Sequence, residues 1–305
     1  MRIMVTGVTG QVGGAICSRL SGLGTILPAD RTTLDLAKPN TLVATLNDLA
    51  PDLILNPAAY TAVDKAEDEP ELAMCVNCDA PGIMARWAAD HAIPLVHFST
   101  DYVYDGDGER AWREDDLAQP LSVYGMSKLA GENKIRLFGG CFLIVRTSWV
   151  YAVRGKNFLR TITRLAQERK EIRIVTDQIG APTSAQLIAD AIARMVADGR
   201  DGLRGRCARA KGLVHLAASG GTSWHGFACA IIAGLRQRGV HLAVEAIVPI
   251  TTDDYPTRAK RPRNSRLDNT QLKTIFGIDP PHWTTALSPE LDSLAHELVV
   301  KQPAL

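Results

Sequence analysis

Short apolar runs of strand length alternate with longer segments of helical periodicity through the first half of the chain. The predicted strands cover residues 2–6, 25–29, 53–56, 95–100 and 141–146. The predicted helices cover residues 12–22, 40–50, 79–91 and 122–138, and Gly22 is expected to end the first of them. Strands that alternate with helices pair in parallel, and right-handed crossovers place the helices on both faces of the sheet. We therefore predict an α/β protein with a Rossmann-type doubly wound parallel sheet.

The second half of the chain has a less regular pattern. It predicts strands at residues 173–175, 214–216 and 244–250, and helices at 184–198, 223–238, 269–276 and 288–300. A loop at residues 251–266 contains two prolines and five Lys or Arg residues. A length of 305 residues suits about two domains. We expect a dinucleotide-binding domain at 1–150, to which residues from about 184 to 225 return, and a smaller α/β C-terminal substrate-binding domain formed mainly by 151–183 and 226–305. The segment 173–175 is expected between the sheet and the substrate domain.

Composition and charge narrow the class of protein. Hydrophobic residues make up 46% and charged residues 22%, as in an ordinary globular protein, so a disordered chain is excluded. The net charge of +1 gives no general attraction to nucleic acid or an anionic membrane, and no apolar run approaches the ~20 residues of a membrane span. Six cysteines are too sparse for a disulfide framework, and no signal peptide is recognisable, so we expect a cytoplasmic protein. Cys75 and Cys78 form one CxxC pair, which could be a redox motif, half a zinc site or two small helix residues.

A turn with three glycines follows the first predicted strand. Gly7, Gly10 and Gly13 are spaced G-x-x-G-x-x-G and precede the first predicted helix. Glycines let the backbone turn tightly and approach a pyrophosphate, whose charge meets free N–H groups at the helix N-terminus. The alternative is a tight turn with no ligand, but the position after the first strand favours a dinucleotide site.

The second predicted strand ends at Asp30 and Arg31, about where a residue that reads the cofactor ribose belongs. Asp30 would accept a hydrogen bond from the ribose 2′-OH of NAD, whereas Arg31 would pair with the 2′-phosphate of NADP. Either could instead be a solvated loop charge. The sequence therefore leaves the choice between NADPH and NADH open and is compatible with the use of both.

Tyr124 and Lys128 lie four residues apart near the start of a predicted helix, and so share one helix face. A nearby cation favours the phenolate, so Tyr124 could exchange a proton with a carbonyl oxygen. Exposed pairs with this spacing are common, but Thr100 ends the fourth predicted strand, where ligands collect in such sheets. Its hydroxyl could hold a carbonyl or relay a proton, or it could simply end a strand beside Asp101.

Further motifs extend this pattern over nearly the whole chain. They are NPAAYTAVD at 56–64, STDYVY at 99–104, YGMSKLAGE at 124–132, RTSWVY at 146–151, DQIGAPT at 177–183, and a C-terminal block running from YPT at 255–257 through RPRNS at 261–265 to LD at 267–268. With these motifs the chain resembles the extended short-chain dehydrogenase/reductases, and among them the reductases of dTDP-linked 4-keto-6-deoxyhexoses. Nucleotide-sugar epimerases and dehydratases share the glycine turn and the Tyr/Lys pair, but their usual motifs differ from TDYVY and RTSWVY.

The resemblance implies reduction of the C4 keto group of dTDP-4-dehydro-L-rhamnose to dTDP-L-rhamnose by hydride from NADPH or NADH, with Tyr124 as proton donor. Lys128 would orient the cofactor ribose and support Tyr124. Besides the glycine turn, the candidate cofactor-binding residues are Gln11, Val12, Asp30, Arg31, Asp35, Leu36, Ala58, Ala59, Tyr60 and Thr61. The candidate substrate-binding residues are Thr100, Asp101, Tyr102, Trp149 and Asn264. Three arginines, Arg258, Arg261 and Arg263, could hold the nucleotide diphosphate or form a solvated basic loop.

One position departs from the family. Some members dimerise around a magnesium ion through a Glu where this chain has Ala15, and alanine offers no oxygen ligand, so we expect no metal. A homodimer stays one option for the assembly. Two other functions also stay open: a reductase of another nucleotide-linked 4-keto-6-deoxysugar, and a non-catalytic dinucleotide-binding regulatory subunit. The presence of Thr100, Tyr124 and Lys128 favours an enzyme.

Overall fold

A computed structural model describes residues 1–301. The strands are β1 (Arg2–Thr6), β2 (Thr25–Ala29), β3 (Leu53–Asn56), β4 (Leu95–Thr100), β5 (Phe142–Thr147), β6 (Val150–Tyr151), β7 (Glu171–Val175), β8 (Ile179–Gly180), β9 (Thr183–Ser184), β10 (Leu213–His215), β11 (Thr222–Ser223) and β12 (Ala246–Ile250). The helices are α1 (Gln11–Leu20), α2 (Pro39–Leu49), α3 (Val63–Ala66), α4 (Pro70–Met74), α5 (Ala80–Asp90), α6 (Val123–Phe138), α7 (Phe158–Glu168), α8 (Ala185–Val196), α9 (Gly199–Arg209), α10 (Trp224–Gln237), α11 (Thr270–Phe276) and α12 (Trp283–Lys301). A π-helical turn (Cys75–Asp79) joins α4 to α5, and a 3₁₀ turn (Asp101–Val103) follows β4.

The central sheet has the strand order β10-β5-β4-β3-β1-β2, and every pairing in it is parallel. All residues of β3 and β4 are buried, which explains why these strands are continuous apolar runs in the sequence. The chain passes from β1 outward to β2 and then returns to β3 on the other side of β1. Ligands bind at the carboxyl ends of the strands where such a reversal occurs. The predicted doubly wound fold is confirmed, and the reversal lies beside the glycine turn.

Helices cover both faces of the central sheet. One face packs on α1 and α8 through side chains such as Val5, Ile16 and Ile192. The other face packs on α2 and α5 through side chains such as Leu46 and Met84. None of the described helices combines the length and the apolar character needed to cross a membrane.

A separate hydrophobic cluster lies among α7, α10 and α12, around residues such as Leu159, Phe227 and Leu291. Small two-stranded pairings accompany it: β12 with β7 in parallel, β11 with β8 antiparallel, and β6 with β9 in parallel. The strand predicted at 173–175 therefore pairs with β12 and takes no part in the central sheet. By contrast, β10 returns to the central sheet beside β5, and α8 packs against α1. The division into two domains remains a proposal.

Most predicted elements begin and end within two residues of the observed ones. Gly22 was wrong as the end of α1, because that helix ends at Leu20 and its C-cap is Ser21 in right-handed conformation. The last helix starts at Trp283, five residues earlier than predicted, and Pro289 lies inside it. Proline within a helix removes one backbone hydrogen bond, so the sequence favoured a later start.

The sequence analysis missed α7 and α9 for different reasons. A signal for α7 was present, since Leu159, Ile162 and Ala166 form a buried stripe and the Asn157 side chain caps the helix by accepting from the Arg160 N–H. In α9 three glycines oppose helix formation.

Arginine side chains of α9 reach the ends of neighbouring helices. The Arg204 guanidinium donates to the Ala92 carbonyl just beyond α5. Arg206 donates to the Met195 carbonyl in the last turn of α8 at 2.7 Å. Cations at helix C-termini satisfy unpaired carbonyls and the helix dipole. These contacts hold α9 in place although its own sequence favours the helix weakly.

A buried ion pair joins α6 to the sheet. Arg146 on β5 donates two hydrogen bonds to Glu132 on α6, with N···O distances of 2.8 and 2.6 Å. Its third nitrogen donates to the Tyr104 hydroxyl at 2.7 Å, and the guanidinium lies 5.0 Å from the centre of that ring. The Glu132 and Arg146 side chains are only 0% and 4% exposed. This contact fixes α6 against β5 and against the segment after β4.

We expect Glu132→Gln to lower the free energy of unfolding by about 3–5 kcal/mol, because it leaves the Arg146 charge buried without its partner. Urea unfolding followed by circular dichroism measures the change. The matched control is Glu168→Gln, which breaks an ion pair with Arg164 whose side chains are 52% and 60% exposed. Its loss should stay below about 1 kcal/mol. Equal losses in the two variants would contradict the role assigned to the buried pair.

Candidate active site

The glycine turn between β1 and α1 is packed too closely for side chains. Gly7 has φ of +58°, and its N–H donates to the Ala29 carbonyl at 3.0 Å. A Cβ on Gly13 would lie 2.2 Å from the Gly7 carbonyl oxygen, and one on Gly7 would lie 3.0 Å from the Ala58 Cα. Gly10 is the N-cap of α1 and provides no side-chain cap. The first N–H groups of α1 can therefore serve an anion, and the turn fits a dinucleotide pyrophosphate.

The start of α1 is fixed from outside by a residue that the sequence analysis missed. Asn157 donates from Nδ2 to Gln11 Oε1 at 2.9 Å and to the Ala152 carbonyl at 2.8 Å. Val12, also a candidate for the cofactor site, packs against the hydrophobic cluster under α1. The Gln11 side chain is thus held within the protein, and its backbone remains at the turn.

The end of β2 carries the two residues expected to read the cofactor ribose. Asp30 Oδ1 accepts from the Thr32 N–H and hydroxyl at 2.8 and 2.7 Å, and these bonds lower the pKa of the carboxyl group. Arg31 is exposed and forms no ion pair with any described residue. Asp35 and Leu36 follow closely, the first half-buried and the second buried. Arg31 is therefore available for a phosphate, while Asp30 already has one oxygen engaged.

The loop after β3 is attached to the π-helical turn. This loop carries the candidates Ala58, Ala59, Tyr60 and Thr61. Asn77, on the π turn, accepts from the Tyr60 N–H at 2.8 Å and donates to the Tyr60 carbonyl at 3.0 Å. It also donates to the Ser127 hydroxyl on α6 at 2.9 Å. Asn77 therefore connects the loop to the helix that carries Tyr124, as π turns often do at functional sites.

The CxxC pair lies on the same π turn. The thiols of Cys75 and Cys78 are free, and burial raises the pKa of both. No group of three His, Cys, Asp or Glu side chains suited to a metal occurs within residues 1–301. The environment favours the interpretation as two helix residues, and independence from metal ions remains a prediction.

Tyr124 is placed by the first turn of α6. The Ser122 hydroxyl caps this helix by accepting from the Gly125 N–H at 3.2 Å. A Cβ on Gly125 would lie 2.2 Å from the Tyr102 carbonyl oxygen, so the helix packs directly on the turn after β4. Burial raises the pKa of Tyr124 above its usual value, and a hydrogen bond with the Thr100 hydroxyl partly offsets this rise. The structure thus brings the predicted Thr100 and Tyr124 together.

Lys128 lies one turn further along α6 and is 2% exposed. Its ammonium donates to the Phe98 carbonyl at 2.7 Å and lies 3.2 Å from Nε2 of His97. Burial lowers the pKa of Lys128 to about 8, and the charge of Glu132 partly offsets this effect. Burial, and then the charge of Lys128, hold the pKa of His97 well below its usual value. A neutral histidine that the sequence analysis missed therefore belongs to this site.

Buried polar atoms without partners cluster at the carboxyl ends of β4 and β5. They are Ser99 Oγ, Asp101 Oδ2, Thr147 Oγ1 and Ser148 Oγ, none of which has a hydrogen-bond partner among the described residues. Burial raises the pKa of Asp101 to about 6, while hydrogen bonds from Ser265 and Thr100 act in the opposite direction. Unpaired buried polar atoms are costly and rare in folded proteins, and these four lie at the edge of the sheet where ligands bind in such folds.

An aromatic and basic group lies next to Tyr124. The Tyr102 ring meets the Tyr124 ring edge-on, with 5.5 Å between centroids. The Tyr102 hydroxyl accepts from Arg261 at 3.1 Å, and Arg261 also pairs with Asp64 at 2.6 Å. Arg258 pairs with Asp68 in the same way. The loop that carries these arginines is therefore anchored to the segment around α3.

The side chains of the other two substrate candidates, Asn264 and Trp149, already contact other parts of the protein. Asn264 is 3% exposed, donates to the Arg110 carbonyl at 2.6 Å and accepts from the Arg266 guanidinium at 3.0 Å. Its amide thus anchors the loop, and contact with a sugar remains a prediction. Trp149 has φ of +49° and stacks on Trp224 at 3.5 Å between centroids.

The Trp149 indole also lies against Gly180, where a Cβ would come within 2.4 Å of the ring. The glycine therefore provides the space that the indole occupies.

The sheet order, the glycine turn and the Thr100, Tyr124 and Lys128 set define a dinucleotide-binding oxidoreductase of the short-chain dehydrogenase/reductase type. The profile of the family described as RmlD substrate binding domain matches residues 1–296. The dTDP-4-dehydrorhamnose reductase of Burkholderia thailandensis is 47% identical over 291 residues, which cover 94% of this chain and 97% of the relative.

Solved structures agree with the sequence comparison. The reductase of the same name from Clostridium acetobutylicum superposes with a TM-score of 0.87 at 34% identity, covering 96% of this chain and 99% of that one. The Bacillus anthracis reductase, solved in complex with NADP, gives a TM-score of 0.86 at 30% identity with the same coverage. The chain belongs to the dTDP-4-dehydrorhamnose reductase family.

The raised pKa of Asp101 predicts a pH-dependent effect of Asp101→Asn. The pKa of the carboxyl is about 6 in the folded protein and about 3.9 in the unfolded chain, so folding binds a proton between these values and wild-type stability falls as pH rises through them. The asparagine variant lacks this fall. Its stability relative to wild type should rise by about 3 kcal/mol between pH ~4 and pH ~6 and stay level above. Urea unfolding across this range measures the difference.

The control for this measurement is Asp107→Asn, since Asp107 is exposed. Its stability difference from wild type should not change with pH in this way. Parallel curves for wild type and Asp101→Asn would mean that the Asp101 carboxyl is not desolvated by folding.

Proposed function

We propose that the protein reduces the C4 keto group of dTDP-4-dehydro-L-rhamnose to give dTDP-L-rhamnose, with NADPH or NADH as the reductant. The observation that carries this proposal is the buried pair of Thr100 and Tyr124, with Lys128 one helical turn away, at the sheet edge that also holds the glycine turn. The substrate is supported by relatives named for this reaction at up to 47% identity over almost the full chain.

Tyr124 acts as the proton donor in this proposal. Its raised pKa keeps the phenol protonated at neutral pH, and the Thr100 hydroxyl, which donates to Asp101 at 3.1 Å, is the neighbour that partly offsets this rise. The bound nicotinamide cofactor supplies the hydride that reduces C4. As negative charge develops on the C4 oxygen, Tyr124 gives up its proton to that oxygen. The Lys128 ammonium, on the same helix face, stabilises the phenolate that remains.

The charge of Lys128 gives this step an upper pH limit. The pKa of Lys128 is about 8, so its ammonium is present at neutral pH and is lost as pH rises through that value. Proton donation by Tyr124 becomes harder without the cation, because the phenolate would then be buried without a compensating charge. The turnover number should therefore decrease on the alkaline side of this pKa.

The cofactor roles follow the positions of the candidates around the switch point between β1 and β3. The glycine turn with Gln11 and Val12 would hold the pyrophosphate at the start of α1. Asp30 and Arg31 would meet the adenosine ribose, and the Asp35 and Leu36 pair would lie near the adenine. The loop formed by Ala58, Ala59, Tyr60 and Thr61 would line the phosphates and the nicotinamide ribose.

The substrate roles fall to the polar ends of β4 and β5. Asp101, with the hydroxyls of Ser99, Thr147 and Ser148, offers partners for the sugar hydroxyls. Trp149 and Tyr102 follow the ends of β5 and β4, which keeps both as candidates for contact with the sugar.

The arginines of the C-terminal loop differ in availability for the diphosphate. Arg258 and Arg261 already pair with carboxylates, whereas Arg263 is exposed and has no ion pair with any residue in 1–301. Arg263 therefore fits the diphosphate best.

Four further properties of the protein remain predictions: a cytoplasmic location, assembly as a homodimer, the division into two domains, and activity without a metal ion. The regulatory-subunit alternative is disfavoured because Thr100, Tyr124 and Lys128 are all present and buried together.

The direct test incubates the purified protein with dTDP-4-dehydro-L-rhamnose and either NADPH or NADH. Loss of the reduced-nicotinamide absorbance and appearance of dTDP-L-rhamnose by NMR are expected. Turnover only with another nucleotide-linked 4-keto-6-deoxysugar would favour the alternative reductase. Cofactor binding without any turnover would favour the regulatory subunit.

We expect Tyr124→Phe to lower kcat by about 10²–10⁴-fold, because it removes the proton donor and keeps the ring. Steady-state kinetics measure this effect, and cofactor affinity by fluorescence titration serves as the internal control and should be nearly unchanged. A variant within threefold of the wild-type kcat would rule out Tyr124 as the proton donor.

We expect Arg31→Ala to weaken NADPH binding more than NADH binding, because only NADPH presents a phosphate to the guanidinium. Calorimetric Kd values for the two cofactors measure the difference. The control is Arg164→Ala on α7, whose side chain is 60% exposed in an ion pair with Glu168. Equal losses for NADPH and NADH would show that Arg31 does not read the 2′ position.

A further inference from the structure

A line of four buried side chains leads from the end of β1 to Lys128. The Thr6 hydroxyl donates to Asn56 Oδ1 at 2.7 Å, and the Asn56 Nδ2 lies 3.0 Å from His97 Nδ1. The other nitrogen of His97, Nε2, lies 3.2 Å from Lys128 Nζ. Thr6, Asn56, His97 and Lys128 are all at most 2% exposed. Water therefore does not compete for these contacts.

The donors and acceptors of this line have a consequence for Lys128. In the arrangement that the structure shows, Asn56 presents its N–H to His97 Nδ1, so Nδ1 must carry the lone pair. A neutral ring then has its proton on Nε2, facing Lys128. An ammonium group has no lone pair to accept that proton, whereas a neutral amine does. This arrangement therefore fits the neutral lysine.

A second arrangement fits the charged lysine. If the Asn56 amide turns over, its oxygen accepts from an Nδ1–H, and the bare Nε2 accepts from the Lys128 ammonium. The Asn56 N–H then meets the Thr6 hydroxyl, which can donate or accept. The neutral and the charged form of Lys128 thus each have their own set of hydrogen bonds along the line. Without such partners, a change in the charge of a buried lysine would leave polar groups unpaired, which is costly.

We propose that His97, held by Asn56 and Thr6, is a positioning residue that matches its tautomer to the charge of Lys128 and so lets this buried lysine gain and lose a proton with its contacts intact. The coupling is a property of the folded chain, while its use during turnover rests on the proposed function of Tyr124 and Lys128.

Few other ionisable groups act on this line. Glu132, one turn beyond Lys128 on α6, is the other charge that affects the lysine, and both of its oxygens are held by Arg146. Tyr124 lies one turn before Lys128 and stays protonated because burial raises its pKa. Among these ionisable groups, His97 is the one whose side chain contacts the Lys128 ammonium directly.

The coupling can be measured without activity. In protein labelled with ¹⁵N-histidine, NMR distinguishes the two tautomers, and the His97→Gln variant identifies the His97 signals. Between pH ~6 and pH ~10 we expect the proton of His97 to change from Nδ1 to Nε2 as Lys128 is deprotonated. In Lys128→Met the change should be absent. His215, buried beside Tyr104, is the matched control and should keep one tautomer. A single His97 tautomer throughout, or a change that persists in Lys128→Met, would overturn the proposal.

Steady-state kinetics test whether turnover depends on this coupling between His97 and Lys128. His97→Leu removes the acceptor of the ammonium, so the alkaline limb of kcat should move down by about one pH unit, with KM for the sugar within about twofold. His97→Gln restores a donor and an acceptor and should bring the limb back. A limb that stays in place in His97→Leu would exclude His97 from setting the charge of Lys128. If the protein had no reductase activity at all, the NMR result would still decide the coupling.

Discussion

The buried contact between Arg146 and Glu132 fixes the helix on which the candidate site is built. It attaches α6 to β5, and α6 carries both Tyr124 and Lys128. Two close approaches add to it: a Cβ on Gly125 would meet the Tyr102 carbonyl at 2.2 Å, and one on Gly131 would meet the Asn77 carbonyl at 2.1 Å. The helix is therefore held at three points, by an ion pair and by two backbone contacts that admit no side chain. The positions of Tyr124 and Lys128 depend on this placement.

One physical cause, the removal of water, shapes the proton affinities around this helix. Burial raises the pKa of Tyr124 and of Asp101 and lowers that of Lys128. In each case the neutral form gains, because a charge is less stable away from water. The result suits a site in which a phenol must hold its proton until a carbonyl oxygen needs it. Neighbouring groups then offset part of two of these shifts: the Thr100 hydroxyl acts on the phenol of Tyr124, and the charge of Glu132 acts on the amine of Lys128.

The sequence was a good guide to the sheet and to the parts of the site that depend on local spacing. The bounds of β1 to β4 were predicted without error, since β1, β3 and β4 are largely buried apolar runs and β2, at the edge of the sheet, is a short apolar run between turns. Residues that act through distant partners left no such signal: Asn77 acts on Tyr60, 17 positions away, and His97 on Lys128, 31 positions away. The helix α9 was also missed, because its glycines disfavour a helix and its arginine contacts to other helices are not visible in the local sequence.

The π turn between α4 and α5 gives this helical region one residue more than a regular helix of the same span would need. Because the turn absorbs that residue, a chain one residue shorter here could close into a regular α-helix and keep both α4 and α5 in place. What would change is the local backbone around Asn77, from which this side chain reaches both Tyr60 and Ser127. The extra residue therefore serves the connection between the loop after β3 and α6, while the packing of α5 on the sheet does not require it.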